Sequence, residues 1–125
     1  MDQTIRLGSR PSKLALIQAE MVKSQLLKQF PKLNIQIIPI ATQGDQDQIS
    51  SLKQLGGKGV FIKSLEQALI KREIDAAVHS FKDITAQIEE QTQLTAFLKP
   101  EAIEDCLILA NKQNISDLNS LPEGR

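Results

Sequence analysis

The residues that could do chemistry are concentrated where one short apolar segment ends. An apolar strand is predicted from Asp75 to Val78. Polar or ionisable residues follow it closely: His79, Ser80, Lys82 and Asp83. Open α/β sheets place their ligand crevice at the carboxyl ends of buried strands, so this segment predicts a binding site. In extended geometry the adjacent Lys82 and Asp83 point to opposite sides, so one can bind an anion while the other accepts hydrogen bonds from a nitrogen.

Structural roles compete with functional ones at each of these positions. A strand that ends in solvated charges would show the same pattern without any ligand. His79 is the only histidine and has no cysteine near it in sequence, which favours a structural role over a metal ligand or a catalytic base. Asp45 follows Gly44 and is expected to stabilise a turn rather than act as an acid. Phe61 suits the core as well as a binding surface.

The elements that must position these residues alternate between strands and helices. Strands are predicted at 4–8, 34–41 and 75–80, and helices at 13–30 and 61–72. Ser12 is the expected N-cap of the first helix, and Phe30-Pro31 ends it. Pro39 indicates that the second strand lies at a sheet edge or bends at its far end. This alternation predicts a parallel sheet with right-handed crossovers.

Further elements are predicted around this framework. Residues 42–60 form a long polar connection with only a weak helical turn near 51–55. Two more strands are predicted at 93–98 and 105–110, and a helical turn at 116–121. The apolar stripe of the first helix is expected to pack on the sheet; its members are Leu14, Ala15, Ile17, Ala19, Met21, Val22 and Leu26.

Composition limits the class of protein. The chain has 125 residues, 41% of them hydrophobic, and its only aromatic residues are four phenylalanines, so the core must be built from Leu, Ile, Val and Ala. Fifteen basic residues balance fifteen acidic ones, which argues against nucleic acid or an anionic membrane as a partner. The single Cys106 allows no internal disulfide. With no signal peptide or apolar span visible, a cytoplasmic location is expected.

Four segments in order give a more specific indication. They are Ile5–Ala15 together with Gln18, Thr42–Asp45, Gly56–Phe61, and Ala77–Asp83. Together they resemble the porphobilinogen deaminases, also called hydroxymethylbilane synthases, of tetrapyrrole and heme biosynthesis. The resemblance runs almost from end to end of the chain.

The resemblance implies a fold and a domain organisation. It implies an α/β domain of the type II periplasmic-binding-protein kind over residues 1–99, incomplete because its returning segment is absent. Residues 100–125 would be the crossover and the first strand of a second domain, and domain three would be absent. The family attaches a dipyrromethane cofactor to a domain-three cysteine, so Cys106 is not that residue and is expected to be a buried core thiol. The chain would then be roughly the first two-fifths of the enzyme.

The resemblance also implies a reaction and a set of site residues. The family joins four porphobilinogen molecules head to tail, with loss of ammonia, to give linear hydroxymethylbilane. Asp83 would be the catalytic carboxylate that bonds pyrrole nitrogens. The substrate- and cofactor-binding residues would be Arg10, Ser12, Gln18, Lys58, Phe61, Ser80 and Lys82. The glycines around Lys58 would let that loop fold over the cleft.

Three departures and one alternative complete the sequence hypothesis. The family usually has arginine where this chain has Gln43 and Glu104, and proline where it has Thr85. A non-catalytic small-anion-binding domain of the same fold is the alternative function. The full enzyme is expected to be a monomer, whereas the 125-residue chain alone is expected to be inactive. Its exposed apolar residues near Cys106 should also favour self-association or partial disorder of that chain.

Overall fold

Three parallel strands form the sheet of this computed structural model, which describes residues 4–46, 57–100 and 102. Strand β1 spans Thr4–Ser9, β2 spans Asn34–Pro39 and β3 spans Ala76–Ala77. Their order is β2-β1-β3, and both neighbours of β1 run parallel to it. The predicted parallel sheet is therefore confirmed, and β2 lies at an edge of the described sheet, as Pro39 indicated.

The first helix, α1, spans Lys13–Gln29 and has the predicted ends. The Ser12 hydroxyl accepts a hydrogen bond from the Ala15 amide at 3.4 Å, and the Phe30 amide donates to the Leu26 carbonyl at 2.8 Å. One part of the expected stripe is wrong, because Leu14 and Ile17 are 56% and 49% exposed. Ala19 is the helix residue that is fully buried, so the sheet-facing side is narrower than the apolar stripe.

Two short helices precede the second of the two predicted helices. Helix α2 spans Gln43–Gln46, and a 3₁₀ helix spans Gly57–Phe61. Helix α3 then spans Lys63–Ile70, which is shorter at both ends than the predicted helix over 61–72. It ends in a Schellman motif: Arg72 takes the left-handed conformation with φ of 58°, and the Glu73 amide donates to the Ala68 carbonyl.

The core is aliphatic, as the composition predicts. Its buried members are Leu7, Ala19, Ile35, Val60, Ile62, Leu65, Ala68 and Ile74. Gly8 of β1 lies against this core, because a Cβ there would stand 2.3 Å from Ile74 Cδ1 and 3.0 Å from Leu65 Cδ2. Close packing of α3 and the segment before β3 onto the centre of the sheet therefore requires glycine at this position.

Two predicted strands differ from the structure. The strand over 75–80 is reduced to Ala76–Ala77, which is only partly buried. Residues 93–98 form no strand, and the side chains of Leu94 and Phe97 are exposed instead of alternating into a core. Phe97 packs edge to face on Phe81, with 5.4 Å between ring centroids. The predictions at 51–55, 105–110 and 116–121, and the environment of Cys106, lie outside the described residues.

The described architecture is thus a mixed α/β domain with a parallel sheet, and its type II periplasmic-binding-protein arrangement stays a prediction. Over the part of the chain that the structure describes, no helix is both long and apolar enough to cross a membrane.

Candidate functional site

The segments that follow the three strands meet at the carboxyl edge of the sheet. Arg10 follows β1, Asp45 lies in α2 just after β2, and Asp83 lies in a 3₁₀ helix just after β3. Since the carboxyl ends of parallel strands share one edge, this topology brings together residues far apart in sequence. Side chains that follow all three strands meet there, and their assignment as the binding site expected after β3 stays a prediction.

Arg10 is the centre of this cluster. Its Nε donates to both carboxylate oxygens of Asp45, at 3.0 and 3.2 Å, and its Nη2 donates to Asp45 Oδ1. The two side chains are 21% and 11% exposed, respectively. A charge-assisted pair at this level of burial is held more firmly than a surface ion pair. One edge of the guanidinium is therefore engaged with protein.

Asp45 is fixed in turn by Thr42, a fully buried residue. The Thr42 amide and hydroxyl both donate to Asp45 Oδ2, at 3.0 and 2.6 Å, and the Asp45 amide donates back to Thr42 Oγ1 at 3.3 Å. This reciprocal arrangement is a capping box at the start of α2, with aspartate in place of the usual glutamate. The predicted turn-stabilising role of Asp45 is confirmed.

The charge state of Asp45 follows from the same contacts. Burial by itself raises the pKa of this carboxyl, but the hydrogen bonds from Arg10 and Thr42 outweigh burial and hold the pKa below its usual value. Asp45 is therefore an anion at neutral pH, and it offsets the charge of Arg10.

Phe61 covers the guanidinium of Arg10. The guanidinium carbon lies 4.0 Å from the ring centroid, which is a cation–π distance. The other neighbour of the ring is Gly44, where a Cβ would approach Phe61 Cε1 to 2.5 Å. Phe61 thus packs between α2 and the arginine, so Gly44 of α2 is required for its close approach.

Asp83 approaches the opposite side of Arg10. Its Oδ2 lies 3.9 Å from Arg10 Nη1, which is longer than a hydrogen bond, and both side chains are half-buried. The extended geometry expected for Lys82 and Asp83 is wrong: Phe81–Asp83 is a 3₁₀ helix, closed by the Asp83 amide donating to the Ser80 carbonyl at 3.0 Å. This turn exposes Lys82 and directs Asp83 into the cluster.

Two more predicted residues connect α1 to this edge. The Ser80 hydroxyl donates to Gln18 Oε1 at 2.9 Å, which ties the end of β3 to the first helix. Ser12 caps the same helix two residues after Arg10, and the first turn of α1 contains no acidic residue. A helix N-terminus without a local acidic residue favours an anion nearby.

His79 lies beside the charged cluster. Burial lowers its pKa below the ordinary histidine value, although the negative charge of Asp83 acts in the opposite direction. The lowered pKa favours a neutral imidazole at pH 7, a form that a structural histidine shares with a metal ligand or a catalytic base, so the structural role of His79 stays a prediction.

Of the eight predicted site residues, the structure brings three into one cluster, and it adds two others. Arg10, Phe61 and Asp83 are in one cluster, while Ser12, Gln18 and Ser80 lie on the segments around it. The side chain of Lys58 lies outside the described residues. Sequence reasoning missed Thr42, and it missed Asp45 as the partner of Arg10. The Thr-Gln-Gly-Asp spacing was the available signal, since it has the spacing of a capping box.

This arrangement has two chemical capacities. Arg10 Nη1, the exposed Lys82 ammonium and the N-terminus of α1 can attract carboxylate groups, and the Asp83 carboxylate can accept hydrogen bonds from N–H donors beside them. A ligand that carries both anionic arms and N–H groups fits this pattern.

Comparison with known proteins gives a consistent result. The family model described as porphobilinogen deaminase, dipyromethane cofactor binding domain, matches residues 5–125. A porphobilinogen deaminase of Rickettsia prowazekii is 44% identical over 118 residues, which are 94% of this chain and 40% of the relative. One from Limosilactobacillus reuteri is 43% identical over 124 residues, covering 99% of this chain and 40% of the relative. One from Buchnera aphidicola is 41% identical over 123 residues, covering 98% and 38%. This chain spans about two-fifths of the length of these curated relatives.

Proposed function

Because this chain belongs to the porphobilinogen deaminase family, we propose that the protein carrying it is a hydroxymethylbilane synthase. It joins four porphobilinogen molecules head to tail, with loss of ammonia, to give linear hydroxymethylbilane for tetrapyrrole and heme biosynthesis. The observation that carries this proposal is the position of the Asp83 carboxylate next to Arg10 at the carboxyl edge of the sheet. A carboxylate and a cation side by side can bind a pyrrole N–H and a carboxylate arm of one substrate molecule.

Asp83 is the proposed catalytic residue. In each addition the C–N bond of the protonated aminomethyl group (–CH2–NH3⁺) breaks, the nitrogen leaves with the electron pair as ammonia, and positive charge spreads onto the pyrrole nitrogen. A C–C bond then forms from the α-carbon of the growing chain, and that carbon loses its proton. A carboxylate fixed beside the pyrrole nitrogen stabilises the developing cation, and it is most effective where water is partly excluded. Half-buried Asp83 suits this role.

The other site residues would bind and orient the acetate and propionate arms. Arg10 offers Nη1, since its Nε and Nη2 are bonded to Asp45. Lys82 and Lys58 would add point charges, and Ser12, Gln18 and Ser80 would add hydroxyl and amide groups near the N-terminus of α1. Phe61, stacked on Arg10, would present the edge of its ring to bound pyrroles.

These residues also fit the dipyrromethane cofactor that the family model names. Dipyrromethane carries the same two groups as the substrate, pyrrole N–H donors and carboxylate arms, so Asp83 and Arg10 would hold it by the same contacts. When bound, dipyrromethane supplies the free α-carbon to which the first substrate molecule is joined. Its attachment to a cysteine other than Cys106 is part of the proposal.

The proposal includes the setting in which the enzyme works. We expect a monomeric cytoplasmic enzyme whose partner is the small molecule porphobilinogen, with neither nucleic acid nor membrane involved. We also expect the 125-residue chain by itself to make no hydroxymethylbilane, because the relatives place about three-fifths of their length outside the matched region. Hydroxymethylbilane production by the purified 125-residue chain would contradict this.

The test of the function is the intact mass of the protein as its gene encodes it, before and after porphobilinogen is added. We expect a covalent mass of two pyrrole units that rises in single-pyrrole steps with substrate. A protein of unmodified mass that binds carboxylates without turnover would instead support the anion-binding alternative.

The role of Asp83 is tested by Asp83→Asn in the same protein. The variant should fold and keep its pyrrole adduct, while its turnover falls on the order of 100-fold or more, because the amide cannot stabilise the developing cation. Steady-state kinetics and intact mass measure the two properties separately. Near-normal turnover would remove Asp83 from the mechanism.

A further inference from the structure

Arg10 lies between two carboxylates that it contacts unequally. Two of its nitrogens donate to Asp45, the nearest contact being well within hydrogen-bond distance. Its third nitrogen, Nη1, stays 3.9 Å from Asp83 Oδ2. A guanidinium between two anions moves toward the one that offers better geometry, so the position of Asp45 determines how close Arg10 comes to Asp83.

Asp45 is built to hold this position. Thr42 donates two hydrogen bonds to Asp45 Oδ2, and Arg10 donates to Oδ1 from two nitrogens and to Oδ2 from one, so both carboxylate oxygens are engaged. Phe61 stacks on the guanidinium at 4.0 Å and limits its movement out of this plane. Thr42 is fully buried and Asp45 is 11% exposed, so water competes little for these contacts.

We propose that Asp45 is a positioning residue that keeps Arg10 from pairing fully with Asp83. This inference rests on the proposed function, in which Asp83 must accept hydrogen bonds from pyrrole N–H groups. With Asp45 present, Arg10 supplies a cation at the site while the Asp83 oxygens stay available. Without Asp45, Arg10 closes the remaining gap and occupies the carboxylate that the reaction needs.

The decisive variant is Asp45→Asn in the protein as its gene encodes it. We expect kcat for porphobilinogen to fall by about 100-fold, the scale of a displacement of about 1 Å in a catalytic constellation. The KM should change far less, because Arg10 keeps its charge near the substrate arms. Asp45→Glu, which restores a carboxylate and the usual capping-box residue, should recover most of the lost kcat.

A matched control separates positioning from the loss of an ion pair as such. Asp75→Asn breaks the exposed arginine–aspartate pair between β1 and the start of β3 and should leave kcat as it is. Thr42→Val removes the hydroxyl that donates to Asp45 Oδ2 but leaves the Arg10–Asp45 bonds, so its kcat should fall by less than that of Asp45→Asn. If Asp45→Asn behaves like Asp75→Asn, or if Thr42→Val lowers kcat more than Asp45→Asn does, the inference is overturned.

A spectroscopic measurement gives an answer that does not depend on turnover. In the ¹⁵N-labelled protein the Arg10 Nε–H resonance should report its bond to Asp45, moving in Asp45→Asn and moving less in Thr42→Val. Failure of the proposed function looks different: the wild-type protein itself would then keep an unmodified mass and turn over no porphobilinogen. If Asp45→Asn does not fold, Asp45→Glu decides the question. A kcat and an Arg10 Nε–H resonance near the wild-type values support positioning. A folded Asp45→Glu protein whose kcat is 100-fold low contradicts it.

Discussion

Two arginine–aspartate pairs lie along the first strand segment, with arginines only four residues apart: Arg6 is within β1, and Arg10 follows its carboxyl end. Arg6 donates to Asp75 from Nε at 3.0 Å and from Nη2 at 2.8 Å, and Arg10 uses the same two nitrogens toward Asp45. Both pairs join β1 to a later part of the chain. The local chemistry is the same, yet the surroundings differ.

The difference lies in burial and in a second anion. The side chains of Arg6 and Asp75 are 36% and 39% exposed, whereas those of Arg10 and Asp45 are 21% and 11% exposed. Arg10 also has Phe61 on its face and Asp83 near Nη1. An ion pair in solvent contributes little to stability and attracts no ligand, while a half-buried cation with a further nitrogen directed elsewhere can do both. Context, not the pair itself, distinguishes a structural contact from a candidate site.

The strongest test of this comparison replaces each arginine by lysine. Arg10→Lys should lower turnover of porphobilinogen by about 100-fold, because a single ammonium cannot bond Asp45, stack on Phe61 and direct a nitrogen toward the substrate at once. Arg6→Lys should leave turnover within about twofold, as expected for a surface pair. Steady-state kinetics on both variants checks this. Equal losses of turnover would erase the distinction between the two arginine–aspartate pairs.

A second test acts on the strand residue between the two arginines. Gly8→Ala places a methyl group against Ile74 Cδ1 and Leu65 Cδ2, and it should lower the free energy of unfolding by about 1–3 kcal/mol through overpacking. Urea unfolding of the purified protein measures this. A normal midpoint would show that Ile74 repacks without cost, and the strand would then couple the two pairs less tightly than its position suggests.

The smallest effect is expected at the exposed pair. Hydrogen bonds from the Arg6 side chain and amide lower the pKa of Asp75 to about 2. A carboxyl with a lowered folded-state pKa stabilises the fold above its unfolded pKa of about 3.9, and this stabilisation is lost as the pH falls through about 2. Asp75→Asn should therefore be slightly less stable than the wild type at neutral pH and equal to it near pH 2. Thermal melts across this range would contradict the assignment if the difference did not shrink in acid.

The sequence predicts the first half of this fold better than the second, for a physical reason. Helix α1 has a capping serine and a Phe-Pro stop, so local signals alone define its ends. The segment 93–98 has the alternation of a strand, yet its side chains stay exposed, because pairing depends on a neighbouring strand that local pattern cannot supply. For the same reason the sequence overestimated β3, which was predicted over 75–80 and spans two residues.

The candidate site shows a similar division. Arg10, Phe61 and Asp83 could be selected from the sequence because residue type and family resemblance both pointed to them. The pairing of Arg10 with Asp45 could not, since it joins positions 35 residues apart that meet only because the carboxyl ends of β1 and β2 lie side by side. Nor could the 3₁₀ turn at Phe81–Asp83, which replaces the extended geometry expected for Lys82 and Asp83.

The central place of β1 in the strand order has a consequence for synthesis of the chain. β1 pairs with β2 on one side, and its other side meets β3 only after residue 76. As the polypeptide leaves the ribosome from its N-terminus, Asp45 is available to Arg10 while Asp83 has not yet been made. The order of translation therefore lets Arg10 pair with Asp45 first. The carboxylate of Asp83 is added later, when Arg10 is already hydrogen-bonded.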